Sequence, residues 1–215
     1  MSLPNRFKIF IYYLFIMEIE FEGKYTWENW KQYPNIRSSG IYIWSIPYKN
    51  RELAYYIGMS KNMFFRTSTH QKNYETGYYQ TFDPSLFEKG KKVHVWMGRW
   101  RYDNALRKKD ISQEEYSSGL DDYHNNLDYF KSKQNDFLGL MNIFFCPVKM
   151  KARELKRIES AIALNIIYKG GIGAEFQEPI TVGSFFPQLR RIFEHPIRIR
   201  IRNNNFHNLD NSFEA

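Results

Sequence analysis

Apolar and polar positions change their spacing several times along the chain, and these changes predict its elements. Residues 41–46 and 53–57 are two short apolar runs, and polar residues 49–51 lie between them. Apolar runs of this length, bounded by turn residues, predict two buried strands joined as a hairpin. Ser60 can then cap a helix that extends to about Tyr74.

The second half of the chain predicts two more strands and one long helix. Apolar residues alternate in residues 91–100, which predicts a strand, and residues 142–148 form another apolar strand. Pro147 indicates that this last strand lies at a sheet edge or leaves the sheet there. Residues 151–168 have the spacing of a helix, which two glycines then stop. A short helix is also predicted at residues 26–32.

The two ends of the chain also predict β-structure. Residues 1–30 form a β-rich leader, and its apolar run, residues 9–17, is too short for a membrane-spanning helix of about 20 residues. We interpret this run as a buried strand, with a cleaved signal peptide as the alternative. In the basic tail, residues 185–215, Ile and Arg alternate within residues 196–202, which predicts a strand with one apolar and one cationic face. The Asn-rich residues that follow are predicted to be loose.

The order of these elements predicts an α+β fold. We expect a small, mainly antiparallel sheet flanked by helices, in a single domain that spans residues 1–215. Residues 103–136 are polar and carry charges of both signs, so they predict a helical insertion between two strands. The basic tail is then a C-terminal extension of this core.

Composition and charge narrow the class of protein. The chain has 215 residues, of which 18% are aromatic, and this content excludes an intrinsically disordered protein. Lys and Arg number 31 against 23 Asp and Glu, which gives a net charge of +8 and permits nucleic acid or an anionic membrane as partner. The single cysteine, Cys146, excludes an internal disulfide and is typical of a reducing compartment such as the cytoplasm.

One residue breaks the pattern of the helix at residues 151–168. At 100° per residue, Leu155, Ile162 and Ile166 form an apolar stripe, and Glu159 lies about 40° from its centre. Unpaired burial of a carboxylate costs several kcal/mol, so this one must be neutralised, paired or bound to a cation. Two interpretations remain open: a stripe-edge Glu that reaches solvent or a lysine, and an acid that holds a divalent metal.

Two tyrosines of the hairpin and two side chains of the following helix form a candidate catalytic set. Tyr42 and Tyr56 lie on the two strands and can face each other on one side of the sheet. Arg66 and His70 have the i, i+4 spacing that puts them on one helical face. Each pair alone has an ordinary interpretation, as core aromatics and as a solvated helical face.

Together these residues resemble the GIY-YIG nuclease superfamily. The residues that carry the resemblance are, in chain order, Gly40-Ile41-Tyr42, Tyr56-Ile57-Gly58, Arg66, His70 and Glu159. The resemblance covers about residues 30–75 and 140–170, and it implies a GIY-YIG-like core for the α+β fold. The leader, the insertion and the tail lie outside it.

The resemblance implies a metal-dependent hydrolase of nucleic-acid phosphodiesters. By resemblance, Glu159 holds the divalent metal, Mg²⁺ or Mn²⁺, and Tyr42 orients or deprotonates the attacking water. Tyr56 positions the phosphate or the metal-bound water, and Arg66 stabilises charge on the phosphate oxygens. His70 holds a proton, assists the water or contacts phosphate. The expected products carry a 5′-phosphate and a 3′-hydroxyl.

One feature of the family is missing from the sequence. The family commonly has a supporting Asn shortly beyond the Glu helix, where this chain has Gly170-Gly171-Ile172-Gly173. Asn165, at the edge of the apolar stripe, is the candidate substitute.

A nuclease also needs a surface for a polyanion, and two basic regions qualify. The tail strand is either an edge strand protected by its arginines or a surface that contacts phosphates, and we favour phosphate contact because two further arginines lie nearby. The insertion is the second candidate. The predicted DNA-binding residues are Arg190, Arg191, Arg198, Arg200, Arg202, Lys108 and Lys109.

The expected function is site-specific, restriction-type cleavage of double-stranded DNA. Cutting both strands implies a homodimer or successive nicks, and no membrane partner is expected. A structure-selective or mobile-element nuclease of the same family is one alternative, although no linker to an added recognition module is visible. A non-catalytic nucleic-acid-binding protein is the other alternative, and a Glu159 kept in an apolar stripe argues against it.

Overall fold

A computed structural model describes residues 15–89, 91–169, 190–202 and 204–215, which fold into an α+β protein as predicted. The strands are β1 (Phe15–Glu20), β2 (Glu22–Tyr25), β3 (Gly40–Tyr48), β4 (Arg51–Ser60), β5 (Thr81–Phe82), β6 (His94–Trp96), β7 (Asn142–Pro147), β8 (Ile197–Arg202) and β9 (Ser212–Glu214). The helices are α1 (Met63–Glu75), α2 (Pro84–Phe87), α3 (Arg99–Lys108), α4 (Gln113–Asn125), α5 (Leu127–Leu140) and α6 (Ala152–Tyr168).

The main sheet has the strand order β2-β7-β3-β4, and all neighbouring strands are antiparallel. The predicted hairpin is formed by β3 and β4, and β4 is the outer strand. Pro147 pairs with Gly40, and β7 lies between β2 and β3. Of the two alternatives predicted at Pro147, the edge strand is therefore wrong and the exit from the sheet is correct. The proline instead ends β7, because it forms the last pair before the chain leaves the sheet.

The two faces of β3 pack against different helices. Ile41 and Ile43 belong to an aliphatic core that includes the apolar residues of α6. Tyr42 and Trp44 point to the opposite face and pack in an aromatic core with residues of α1 and α5. The alternation of side chains along a strand thus separates the sheet into an aliphatic and an aromatic side. Both candidate tyrosines of the hairpin belong to the aromatic side.

A second sheet, with the order β1-β8-β9, packs against α6 and completes the aliphatic core. β8 is parallel to β1 and antiparallel to β9. The isoleucines of β8 are buried and its arginines are exposed, as their alternation predicts. Because β8 lies between two strands, the interpretation of it as an edge strand is wrong.

The Asn-rich segment after β8 makes specific contacts, so the prediction that it is loose is wrong for its described residues. Asn208 is buried, and its Nδ2 donates to the carbonyl of Ala54 at 2.9 Å. Its Oδ1 accepts from the Ala54 amide at 2.8 Å. The Glu52 amide donates to the Asn205 carbonyl, and the His207 amide donates to the Glu52 carbonyl. These contacts cover part of the outer edge of β4 and satisfy its backbone groups.

The helical insertion is longer than predicted. The segment predicted at residues 103–136 is the three helices α3, α4 and α5, which extend over residues 99–140. The strand predicted at residues 91–100 is reduced to β6, because Gly98 has a φ of 82° and turns the chain into α3. The insertion has a small core of its own that centres on Trp96, Tyr123 and Phe130.

Local signals at the helix starts were partly misassigned. The side chain that caps α1 is Asn62 and not Ser60, because the Asn62 Oδ1 accepts from the Phe65 amide. The helix predicted at residues 26–32 is only a 3-10 turn at Trp30–Gln32.

The strand predicted in the leader is described from Phe15 onward, as β1, and residues 1–14 lie outside the described part. Within the described ranges, no helix has the length and apolar content needed to cross a membrane.

Candidate active site

Tyr42 and Gly58 are cross-strand partners in the hairpin, and the ring of Tyr42 lies over Gly58. A β-carbon at position 58 would overlap the phenol oxygen of Tyr42 and the ring carbon that carries it. Glycine is therefore required in β4 for the ring to approach the strand this closely. This contact is the physical reason why a tyrosine in the first strand is accompanied by a glycine in the second.

Helix α1 brings His70 against the ring of Tyr42. The His70 side chain is buried, and its Nε2 lies 2.8 Å from the Tyr42 Oη. Its Nδ1 lies 3.0 Å from the hydroxyl of Tyr79, in the loop after α1. Both ring nitrogens of this histidine are therefore hydrogen-bonded to tyrosine hydroxyls.

Arg66 lies one turn before His70 on α1 and determines the charge of this cluster. Its side chain is exposed, and its positive charge acts against the burial that raises the pKa of Tyr42. Burial, together with the positive charge of Arg66, lowers the pKa of His70 to about 3. The imidazole is therefore neutral at physiological pH and carries one N–H proton.

The two hairpin tyrosines differ in their access to solvent. Tyr42 is 0% exposed, whereas Tyr56 is half-buried. Burial raises the pKa of both phenols, and Arg66 opposes that effect without cancelling it. The centroids of the two rings lie 6.2 Å apart. Of the two, only Tyr56 has surface that solvent reaches, so it is better placed than Tyr42 to meet a water molecule directly.

Glu159 lies on the other side of the sheet from α1 and reaches the outer edge of β4. Its Oε1 accepts a hydrogen bond from the Met59 amide at 3.0 Å. Burial raises the pKa of Glu159 to about 7, although the Met59 amide and the charges of Arg66 and Lys156 act in the opposite direction. Among the residues that the structure describes, no cation forms a salt bridge with this carboxylate. The electrostatic effect of Glu159 extends to Tyr56 as well.

The structure thus brings together Tyr42, Tyr56, Arg66, His70 and Glu159, the five residues predicted from the sequence. Asn165 is engaged elsewhere: its amide exchanges two hydrogen bonds with Asp210 of the C-terminal segment, at 2.8 and 2.9 Å. Tyr79 was missed by the sequence analysis. No local pattern singles it out, because its contact with His70 depends on the turn that follows α1.

The predicted DNA-binding residues are exposed, but several already have acidic partners. Arg202 hydrogen-bonds Glu18 with two nitrogens, and Arg200 lies 3.6 Å from the same carboxylate. Arg190 lies 3.7 Å from Glu214. Arg191, Arg198, Lys108 and Lys109 are also exposed. The cationic face of β8 is therefore partly neutralised by β1.

A divalent cation at this site would depend on a single carboxylate. In the described part of the chain, no cluster of three or more His, Cys, Asp or Glu side chains has the geometry of a metal site. Glu159 still fits a hard cation such as Mg²⁺, because such a cation keeps several water ligands and needs only one or two carboxylates from the protein. A half-buried carboxylate without an ionic partner is a suitable donor for it.

Comparison of the chain with protein-family models, with curated proteins and with solved structures finds no match. The functional assignment therefore rests on the geometry and chemistry of these side chains.

Proposed function

We propose that the protein is a metal-dependent endonuclease of the GIY-YIG type that hydrolyses phosphodiester bonds in double-stranded DNA. The observation that carries this proposal is Glu159, a carboxylate with a raised pKa and no ionic partner among the described residues. It lies at the edge of β4, where the charges of Arg66 and Lys156 lower its pKa against the larger effect of burial. A carboxylate in this environment gains stability from a bound cation.

Each side chain of the cluster then has a role that its environment supports. Glu159 would hold Mg²⁺ or Mn²⁺, which supplies positive charge to polarise the phosphate. The exposed guanidinium of Arg66 donates to phosphate oxygens and stays charged throughout the working pH range. Tyr56 orients the attacking water, and Tyr42, whose hydroxyl lies 2.8 Å from His70 Nε2, packs beside the Tyr56 ring in the core.

Restriction-type cleavage is the form of this activity that we favour, because the helical insertion is attached next to the site. The amides of Arg99 and Trp100, at the start of α3, donate to the carbonyls of Gly77 and Tyr78, directly before Tyr79. A basic helix is thus held beside the catalytic cluster on the same chain. Cutting both strands would require a homodimer or successive nicks. A reducing compartment such as the cytoplasm suits the lone buried thiol of Cys146.

The proposal is tested by incubating supercoiled and linear DNA with the protein in Mg²⁺ and in EDTA. We expect cleavage in Mg²⁺ only, and loss of cleavage in Glu159→Gln. The matched control is Glu154→Gln on the same helix, whose side-chain oxygen accepts from the Lys151 amide and keeps an acceptor in the variant. Equal cleavage by Glu159→Gln and Glu154→Gln would contradict the assignment of Glu159.

The pattern of products separates the remaining possibilities. Discrete fragments from linear DNA support a restriction enzyme. Nicks confined to branched DNA support a structure-selective or mobile-element nuclease. Salt-sensitive binding without cleavage, on DNA of varied sequence and shape, would replace the proposal by a non-catalytic nucleic-acid-binding protein.

A further inference from the structure

Exposed cations and two phenylalanine rings lie together at the start of α1. Two hydrogen bonds hold the preceding segment against this helix: the Met63 amide donates to the Ser38 carbonyl at 3.0 Å, and the Trp30 Nε1 donates to the Gln71 Oε1 at 3.1 Å. We call this group the α1 surface, and its members are Lys31, Arg37, Lys61, Phe64, Phe65 and Arg66.

Two cations of the α1 surface lie over aromatic rings. The guanidinium carbon of Arg37 is 4.4 Å from the ring centroid of Phe64. The Phe64 ring packs on the buried ring of Trp30 with a centroid distance of 5.6 Å, and the Lys31 ammonium lies 5.5 Å from the Trp30 centroid. Both cations are exposed, so these cation–π contacts orient their side chains and leave the charges accessible to solvent.

Phe65 is the most exposed ring of the α1 surface. It is 64% exposed, and it meets the Phe64 ring edge-on with a centroid distance of 5.9 Å. At 100° per residue, Phe65 lies nearly opposite the buried face of α1. Arg66, which we assign to the phosphate, is the next residue on the helix. A large exposed ring that is continuous with a charged patch indicates an interaction site.

The charge of the α1 surface is not compensated. Within the described ranges, no acidic side chain forms an ion pair with any of its four cations. On β8, in contrast, Arg200 and Arg202 share the carboxylate of Glu18. The α1 surface is therefore complementary to a polyanion. A second copy of the chain is a poor partner, because a two-fold contact would bring the same cations together.

We propose that the α1 surface holds DNA beside the scissile phosphate, with Arg37 and Lys61 on flanking phosphates and the ring of Phe65 stacked on a base. The inference rests on the proposed nuclease function, which supplies DNA as the polyanion. Because Phe65 and Arg66 are adjacent on the helix, the stacked base belongs to a nucleotide next to the phosphate that Arg66 contacts. An aromatic ring can stack on any of the four bases, so this contact adds affinity without reading the sequence.

The proposal has a consequence for the shape of the bound DNA. In a duplex, the face of each base is covered by its neighbours. The ring of Phe65 therefore enters between two base pairs, as apolar side chains do in proteins that kink DNA, and the flanking cations hold the backbone on either side. The protein would thus distort the duplex at the position of cleavage.

The first experiment uses a tryptophan at position 65 as its probe. Phe65→Trp keeps a ring that can stack, and stacking on a nucleobase quenches indole fluorescence. The protein is titrated with mixed-sequence duplex and single-stranded DNA in EDTA, and the unsubstituted protein, with its five tryptophans, gives the background. We expect quenching beyond that background in Phe65→Trp.

Tyr129→Trp is the matched control. Tyr129 on α5 is 55% exposed and meets the ring of its neighbour Phe130 edge-on at 5.4 Å, as Phe65 meets Phe64, but it follows an acid, Asp128. We expect no additional quenching in this variant. Equal quenching in the two tryptophan variants would overturn the inference.

The second experiment separates the stacking from the charge. Phe65→Ala should weaken DNA binding by about tenfold and leave the slope of log K against log salt unchanged, because it removes a ring and no charge. Arg37→Gln should reduce that slope by about 1. Lys49→Gln is the control, because Lys49 also lies over a ring, that of Tyr48, but at the turn at the opposite end of β4. Equal slopes in Arg37→Gln and Lys49→Gln would overturn the α1 surface as the phosphate contact.

Failure of this inference can be distinguished from failure of the nuclease function, because both binding measurements are made without metal. If the variants and their controls bind DNA alike while the unsubstituted protein cleaves DNA in Mg²⁺, the α1 surface is rejected and the nuclease is retained. If Phe65→Trp is quenched by DNA but no cleavage occurs, the surface is retained in a DNA-binding protein. A fluorescence change of Phe65→Trp with phosphatidylserine vesicles and none with DNA would overturn the inference in favour of a membrane.

Discussion

The phenol of Tyr42 covers Gly58, its partner on the neighbouring strand, so closely that position 58 has no room for a β-carbon. This contact holds the hydroxyl of Tyr42 at 2.8 Å from the Nε2 of His70. The two sequence motifs of the hairpin, Gly40-Ile41-Tyr42 and Tyr56-Ile57-Gly58, therefore pack directly against each other.

Replacement of this glycine should damage both stability and activity. We expect Gly58→Ala to lower the free energy of unfolding by about 1–3 kcal/mol, because the added methyl group forces Tyr42 out of position. The matched control is Gly139→Ala in α5, where the β-carbon meets open space and should stabilise the helix by about 0.5–1 kcal/mol. Urea unfolding measures both. A Gly58→Ala protein as stable as the unsubstituted one would contradict the packing.

The raised pKa of Glu159 predicts a pH-dependent metal affinity. The carboxyl is protonated below about pH 7 and must lose that proton to bind a cation. The affinity for Mn²⁺ should therefore rise by about tenfold per pH unit below pH 7 and level off above it. Calorimetric titration between pH 5 and about 8.5 measures this dependence. His70 cannot produce it, because its pKa of about 3 keeps it neutral throughout.

The same group should also affect stability in the metal-free protein. The pKa of Glu159 is raised from 4.5 to about 7 on folding, so the folded state binds the extra proton in that window. Its contribution to stability is therefore greatest at low pH and is lost as the pH rises from 4.5 to about 7. The unsubstituted protein should lose stability relative to Glu159→Gln over this range. A constant difference between the two unfolding curves would show that the carboxyl is not perturbed.

The contact of Asn208 with Ala54 should be a large contribution to stability. Removal of the amide in Asn208→Ala leaves the buried amide and carbonyl of Ala54 without partners, which should cost about 2–4 kcal/mol. Asn205→Ala is the control, because the Asn205 side chain is exposed and only its backbone carbonyl is used. Its effect should stay within about 0.5 kcal/mol. Similar denaturant midpoints for both variants would argue that the C-terminal segment is not part of the folded core.

Glu18 provides a test of whether the cationic face of β8 binds DNA. This carboxylate pairs with Arg200 and Arg202, so Glu18→Gln should free both for phosphate contacts. We expect tighter DNA binding and a slope of log K against log salt that is steeper by about 1–2. Glu28→Gln removes the same charge from an exposed position away from β8 and gives the general effect of charge. If the two variants bind DNA alike, the phosphate surface lies elsewhere.

The sequence predicted the elements whose signals are local. The hairpin, α1 and α6 depend on turn residues and on hydrophobic spacing within each segment, and all three are present. The register of Tyr42 with Gly58 follows from the short turn together with one extra residue of β4, Tyr55, at the irregularity between the Ser45–Ala54 and Trp44–Tyr56 pairs. Arg157, on the face of α6 opposite its apolar stripe, is 4% exposed and donates to the carbonyls of His195 and Ala215. A segment distant in sequence covers this side chain, and no pattern within the helix predicts that contact.

In the candidate site, too, some features follow from local sequence and others depend on contacts between distant segments. Its five predicted residues lie on segments with recognisable spacing, so they could be found without a structure. The place of Tyr79 in the site depends on the path of a loop, and the burial of Tyr42 depends on how α1 packs across β3. Asn165 lies at the edge of the apolar stripe, where a supporting residue was expected. Its amide instead donates to the Asp210 carboxylate, because the C-terminal segment brings this acid next to α6.

The hydrogen bond from the Met59 amide to Glu159 has a consequence for how the protein behaves in solution. β4 is the outer strand of the main sheet, and an outward amide on such a strand invites pairing with a strand of another molecule. Glu159 occupies that amide and places a carboxylate at the position an incoming strand would take. Glu159, the residue proposed for catalysis, would then also oppose self-association through the edge of β4. Variants that remove its side chain should be compared only after their monomeric fraction has been isolated, because a loss of activity could otherwise reflect aggregation.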